Sequence, residues 1–335
     1  VPGIRVEEKG GVMLEECPDT LDHTTGCMID ECDRKYYWFK IRGIRALYEK
    51  DYFIAGKAWD RALKVINQAE LEPAVRVQKA FQTIRQTYSR AKCDFIGEKR
   101  SAENVILLLN KFIDTYGFYP KYKVLASNVP FRFPYKDFFI GGELDAYLDW
   151  SGLGVVYDEN KTTAGKITDP YLANFYLGAY AQQLNIYNWA CRQVTENLWG
   201  SQVTVACLDI PKRESTKRVL FQRLLIQPHE LHIIETLNTF ERRMERLREN
   251  WRQNSWPMKG QHCEGGWGFG SCEYRWLCRI PCAPEEAEVL PSLYREAPWE
   301  PWYGEKGDWE GLSTEKRAEL EFWTEQNGEF TYESA

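Results

Sequence analysis

At 335 residues and 44% hydrophobic, the chain is long enough to bury a sizeable core, as one large domain or two small ones. No apolar run reaches membrane-spanning length and no secretory signal is visible, so no membrane partner is expected and the cytoplasm is the expected setting. A net charge of -6 does not advertise nucleic-acid binding, but it excludes it only weakly, because the local distribution of charge decides such binding.

Ten cysteines in a chain of this kind point to metal before disulfides. Residues 1–30 are Gly-, Glu- and Asp-rich with little periodicity, and are expected to form a loosely ordered lead-in. Residues 31–120 read as helical. A helix opens at Glu31-Cys32-Asp33-Arg34-Lys35-Tyr36-Tyr37-Trp38 and is predicted to run toward Tyr48, burying Tyr36, Phe39, Ile41, Ile44 and Leu47 on one face. Its basic side is either solvated or placed to touch phosphate. A second helix is predicted from Ala55 to about Ala69, followed by others over Pro73–Tyr88 and Ser101–Tyr116. Arg90, Lys92, Lys99 and Arg100 between the last two read as a solvated loop or a phosphate-contacting patch.

Residues 121–227 read as the α/β core. Lys121 to Phe133 is predicted as a strand. Ile140 to Leu148 and Val155 to Lys161 form a predicted hairpin, with Ser151-Gly152-Leu153-Gly154 as its turn. Side chains alternate across a strand, so Glu159 and Lys161 share a face, and an in-register hairpin brings Asp145 to them. Two carboxylates beside one ammonium suit a small hard cation such as Mg2+ or Mn2+, and a lysine there can orient or deprotonate a water. The tripeptide alone is weak evidence: Asp33-Arg34-Lys35 and Glu7-Glu8-Lys9 match it as well. Tyr171 to Val194 is predicted as one helix, with Gln183 and Tyr187 on one face. Strands follow over Gln202–Ile210 and Arg218–Gln227.

Residues 228–282 pair a helix, buried along Phe240, Met244, Leu247 and Trp251, with a run holding Cys263, Cys272, Cys278 and Cys282. Four cysteines within twenty residues suit zinc or an iron–sulfur cluster, and spacing alone does not choose. Residues 283–335 are an acidic appendage carrying Trp299, Trp302, Trp309 and Trp323.

Gly142-Glu143-Leu144-Asp145, then Glu159-Asn160-Lys161-Thr162, then Gln183-Leu184-Asn185-Ile186-Tyr187 resemble, in order and spacing, the PD-(D/E)XK nuclease superfamily in its RecB-like branch. The string Cys32-Asp33-Arg34-Lys35-Tyr36-Tyr37-Trp38 and the pair Cys272 and Cys278 resemble the iron–sulfur members of that branch, which include AddB-type subunits and CRISPR adaptation exonucleases. The resemblance runs from about Cys32 to Cys278. It implies a restriction-endonuclease-like α/β fold, a mixed central sheet flanked by helices, with an N-terminal helical region and a Cys-rich C-terminal closure. It implies Asp145, Glu159, Lys161, Gln183 and Tyr187 as site residues, with metal held by Asp145, Glu159, the Asn160 carbonyl and Asp60. It further implies a 4Fe-4S cluster on Cys32, Cys263, Cys272 and Cys278, with Cys282 as a rival to Cys263. Two positions depart from the pattern: Asp60 stands where the family has a metal-binding His, and Asn128 where it often has a Glu.

The implied activity is an Mg2+- or Mn2+-dependent exonuclease on single-stranded DNA. No Gly-x-x-x-x-Gly-Lys-Ser/Thr string is present, so a helicase or recombination partner would be another chain. The alternatives are an impaired DNA-binding or assembly subunit of the same fold, motivated by the two departures, and a zinc-stapled structural protein.

Overall fold

The computed structural model describes residues 16–68, 71–93, 95–118, 122–212, 218–263, 272–279, 293–297 and 299. Most of the lead-in, Cys282 and nearly all of the appendage lie outside the described residues. The elements in chain order are β1 (Thr20–Leu21), α1 (His23–Glu31), α2 (Asp33–Tyr36), β2 (Ile44–Ala46), α3 (Asp51–Ile66), α4 (Pro73–Arg90), α5 (Ala102–Tyr116), β3 (Tyr122–Tyr135), β4 (Phe138–Trp150) and β5 (Gly154–Thr163). They continue with α6 (Asp169–Leu177), α7 (Ala179–Arg192), β6 (Leu198–Cys207), β7 (Phe221–Ile226), α8 (Glu230–Arg252), α9 (Gly260–Cys263), α10 (Arg275–Arg279) and β8 (Tyr294–Glu296). Among the described residues no helix is long and apolar enough to cross a membrane.

The chain forms two compact units. One holds residues up to Tyr48, Pro134–Gly141 and Leu237–Tyr303; the other holds Glu49–Phe133 and Gly142–Thr236. In the first, the end of the expected lead-in is ordered: Asp22 accepts from the Thr25 amide at 2.8 Å while Thr25 Oγ1 takes the Asp22 amide at 3.1 Å, a reciprocal cap that starts α1. The helix predicted to reach Tyr48 does not. After α2 the backbone widens into one π-helical turn over Tyr37–Ile41, and Gly43 at φ 57° ends it. That angle suits glycine, and it turns the chain into β2, which pairs antiparallel with β8. Ile44 and Leu47 therefore do not extend the helical stripe, because helical periodicity stops at Gly43.

In the second unit, β3 pairs β4, β4 and β5 form the antiparallel hairpin, β5 runs parallel to β6, and β6 antiparallel to β7. Gly152 and Gly154, at φ 86° and 97°, make the hairpin turn. The mixed sheet and its flanking helices are the restriction-endonuclease-like architecture that the motifs implied. The parallel β5–β6 step needs a crossover, which α6 and α7 supply. The single helix predicted over this crossover breaks at Gly178, where a Cβ would stand 2.8 Å from Asn174 Oδ1 and 3.0 Å from its Cα. β6 is buried over its last eight residues, as a central strand requires. Helices α3, α4 and α5 share an apolar core, in which Trp59 meets Phe112 edge-on at 5.5 Å and stacks near Phe221 at 6.3 Å.

Candidate active site

The hairpin positions the site. The pairing of β4 with β5 ends at Ala146 opposite Asp158, so the next positions outward are Asp145 and Glu159. There β5 stays paired to β6 through Glu159, Asn160 and Lys161. Asp145 Oδ2 accepts the Asn160 amide at 3.0 Å, so a side chain takes an N–H at the point where the hairpin opens.

Tyr157, Glu159 and Lys161 alternate onto the face that α7 covers. Gln183 on α7 bridges the pair below it: its Nε2 donates to Glu159 Oε1 at 3.2 Å, and its Oε1 accepts from Lys161 Nζ at 3.0 Å. Lys161 also ion-pairs with Glu159 Oε1, and its ammonium lies 5.4 Å from the centre of the Tyr180 ring. Tyr187, one turn beyond Gln183, is buried with its ring edge-on to Phe131 at 5.5 Å and to Tyr157 at 5.3 Å. Its ring thus packs under the hairpin and sets the depth at which Gln183 meets β5.

Helix α3 brings Asp60 to this cluster. Asp60 Oδ2 ion-pairs with Lys64 Nζ, one turn on, at 2.7 Å. Burial raises the Asp60 carboxyl to about 6, the charge of Asp145 adds to it, and Lys64 opposes. Burial likewise raises Glu159 to about 7, opposed by Lys161 and assisted by Asp145 and Asp60. For Lys161 and Lys64 burial disfavours the charge, yet both stay above the usual lysine value because Glu159, Asp60 and Asp145 outweigh it. The acids and the lysines therefore share one electrostatic environment.

Asp145, Glu159 and Asp60 offer carboxylate oxygens, the donor type that a hard divalent cation takes. Glu159 Oε2 and Asp60 Oδ1 are buried with no hydrogen-bond donor, and crowded carboxylates that hold protons near neutrality are ones that a cation would relieve. Among the described residues no group of three or more His, Cys, Asp or Glu side chains, the cysteines included, is arranged to hold a metal ion. Asp60 and Glu159 each lean on a lysine instead.

The cysteines lie in the first unit. Cys32 is buried, and its Sγ accepts the Lys259 amide at 3.5 Å. The Cys272 amide donates to the Cys263 carbonyl at 3.3 Å. Burial raises the Cys278 thiol, within electrostatic reach of Cys263 and Cys32, and raises Cys272 to about 11, within reach of Cys278. Lys35 lowers Cys272, and the Trp38 contact and Arg34 lower Cys278, but burial outweighs them and both thiols stay above the usual cysteine value. Cys32, Cys263, Cys272 and Cys278 are all free thiols. Asn128 is in β3, and its side chain lies outside what is described.

Two site features were missed in the sequence. Lys64 was legible as an i,i+4 partner of Asp60 once Asp60 was singled out. Asp158, back to back with Glu159, is buried against Gln202, whose Nε2 donates to it at 2.7 Å. Only the register of β5 with β6 reveals that pairing.

No curated protein matches the chain. Among solved structures, a candidate exonuclease from Eubacterium rectale aligns at a TM-score of 0.49 and 11% identity, over 81% of this chain and 92% of its own. The protein SSO0001 aligns at 0.33 and 14%, over 81% and 88%. The model of the PD-(D/E)XK nuclease superfamily matches residues 28–279, and the chain belongs to that superfamily.

Proposed function

We propose that the protein is a divalent-metal-dependent deoxyribonuclease, an exonuclease acting on single-stranded DNA, whose Asp145, Glu159, Lys161 and Gln183 carry the site. The observation that carries this reading is the bridge of Gln183 over Glu159 and Lys161, beside a buried Glu159 oxygen with no donor. Bound there, Mg2+ or Mn2+ would polarise a phosphate oxygen and acidify a water. Asp145, Glu159, the Asn160 carbonyl and Asp60 would hold it. Gln183 fixes the Glu159 carboxylate through Oε1 and leaves Oε2 open. Lys161 Nζ, already charged and aimed by Gln183, is placed to counter negative charge building on the phosphate or to hold the attacking water.

Cys32, Cys263, Cys272 and Cys278 are proposed to hold a 4Fe-4S cluster, which would tie residues over two hundred positions apart and couple folding of that unit to metal. Anaerobic purification with iron and zinc quantification separates this from a four-thiolate zinc site. Absorbance near ~400 nm with iron supports the cluster, and zinc alone rejects it.

The activity test is cleavage of end-labelled single- and double-stranded DNA with Mg2+ or Mn2+, with Lys161→Ala as control. Metal-dependent release of nucleotides from single strands, lost in the variant, is expected. Tight DNA binding without cutting would favour an impaired binding subunit, a reading motivated by Asp60, whose carboxylate is held by Lys64.

A further inference from the structure

Lys64 lies in the acid cluster, although no motif places it there. Its ammonium sits 2.7 Å from Asp60 Oδ2 and feels Asp145 and Glu143 as well. Only one oxygen of Asp60 is taken by it; the other is buried and without a donor. The Lys64 side chain is 19% exposed and that of Asp60 24%, so solvent screens the pair only in part.

We infer that Lys64 is the exchangeable counter-ion of the cluster: it occupies Asp60 until a divalent cation displaces it, and so sets how tightly that cation binds. The inference rests on the proposed metal-dependent reading of the site. Helix α3 holds Asp60 and Lys64 one turn apart, and Trp59, buried between α5 and β7, fixes the helix. The backbone therefore need not move for the exchange. The lysine stem rotates about four bonds, and its ammonium can leave while its Cα stays. A divalent ion at the Asp60 carboxylate would repel the ammonium, and the freed charge would stand beside the incoming phosphate. Lys161 does not play this part, because Gln183 holds its ammonium in place from the other side.

Mn2+ binding measured calorimetrically tests this without reference to cutting. Wild type, Lys64→Gln, Lys64→Met, Asp60→Asn and the Asp60→Asn/Lys64→Gln double variant are compared at low salt, with thermal unfolding as the check on folding. Lys64→Gln keeps a donor to Asp60 without the charge, and Lys64→Met keeps the length without the donor. Both are expected to bind Mn2+ about tenfold more tightly, the size of effect of one unit charge a few ångströms away in a partly screened pocket. In the Asp60→Asn background the gain is expected to fall below about twofold, because there is no longer a pair to break. Unchanged or weaker affinity in both folded Lys64 variants overturns the inference and leaves the metal site standing. Absence of Mn2+ binding in every variant, Lys64→Gln included, overturns the metal reading of the cluster together with it.

Discussion

Asp145 Oδ2 takes the backbone amide of Asn160 at 3.0 Å, on the strand position directly after Glu159. One carboxylate thereby does two jobs: one oxygen pins the open end of the hairpin, and the charge serves the cluster. The jobs separate by mutation. Asp145→Asn keeps an acceptor for the amide and removes the charge, so it is expected to unfold within about 1 kcal/mol of wild type yet cut DNA more than about 100-fold more slowly. Asp145→Ala loses both, and its unfolding free energy should fall by a further 1–2 kcal/mol or so. Thermal unfolding and the cleavage assay, run on the two variants together, measure the split. Equal stability of the two would remove the structural role assigned to the carboxylate.

Gln183 touches both charged partners of β5 through one amide. Gln183→Leu keeps the volume and deletes both contacts, while Lys161 and Glu159 can still pair with each other. The expected outcome is a folded protein with unchanged affinity for DNA and a turnover about 10- to 100-fold lower, because the ammonium is no longer aimed. Single-turnover rates and DNA-binding titrations separate the two quantities. A loss in DNA affinity with normal turnover would move Gln183 from orienting the site to binding the strand.

The hairpin was readable because its information is local: turn glycines, strand alternation, and an acid and an amine two positions apart. The same alternation placed Glu159 and Lys161 on one face, where their side chains meet Gln183. Events decided by one glycine's backbone or by strand-to-strand pairing were not readable. The break comes at Gly178, where Asn174 leaves no room for a Cβ, and the first helix ends at the positive φ of Gly43; both glycines sit within otherwise helical patterns. Asp158 gave no sign of burial, since a charged residue in an alternating strand reads as solvent-facing until β6 and its Gln202 are laid beside it. Lys64 belongs to no motif, and only its ion pair with Asp60 one turn away marks it.

Gly142, the glycine of the Gly-x-x-Asp motif, owes its place to packing. A Cβ there would stand 2.8 Å from the Phe131 ring and 3.2 Å from the Tyr187 ring. Both rings are themselves wedged, Phe131 against Phe133 and Tyr187 against Tyr157, so neither can swing away freely. Gly142→Ala is expected to cost about 1–3 kcal/mol of stability and to lower activity by displacing α7 and its Gln183. Phe131→Leu in the same chain frees the space and should return part of both losses. Chemical denaturation and the cleavage assay check this. A double variant no better than Gly142→Ala would show that the strain lies elsewhere.

Asp158 carries a pH dependence that its neighbours make testable. Burial raises its carboxyl to about 7; the Gln202 amide and Arg223 oppose that, and Asp145 and Asp60 add to it. In the unfolded chain the same group titrates near ~3.9. Below about pH 4 both states hold the proton and the group contributes nothing to the balance. Between about 4 and 7 the unfolded state releases its proton while the folded state keeps it, so stability falls as pH rises. Above about 7 the penalty levels off, at a magnitude on the order of 4 kcal/mol. Gln202 Oε1 is buried with no donor, and a neutral partner at position 158 can supply one. Asp158→Asn should therefore raise the stability of the metal-free protein at pH 8, and the advantage should shrink steadily toward pH 4. Urea unfolding in the presence of a chelator across this range measures the difference. A variant that is less stable at pH 8, or whose advantage does not change with pH, would mean that the folded protein holds Asp158 as an ion, with Arg223 as its effective partner.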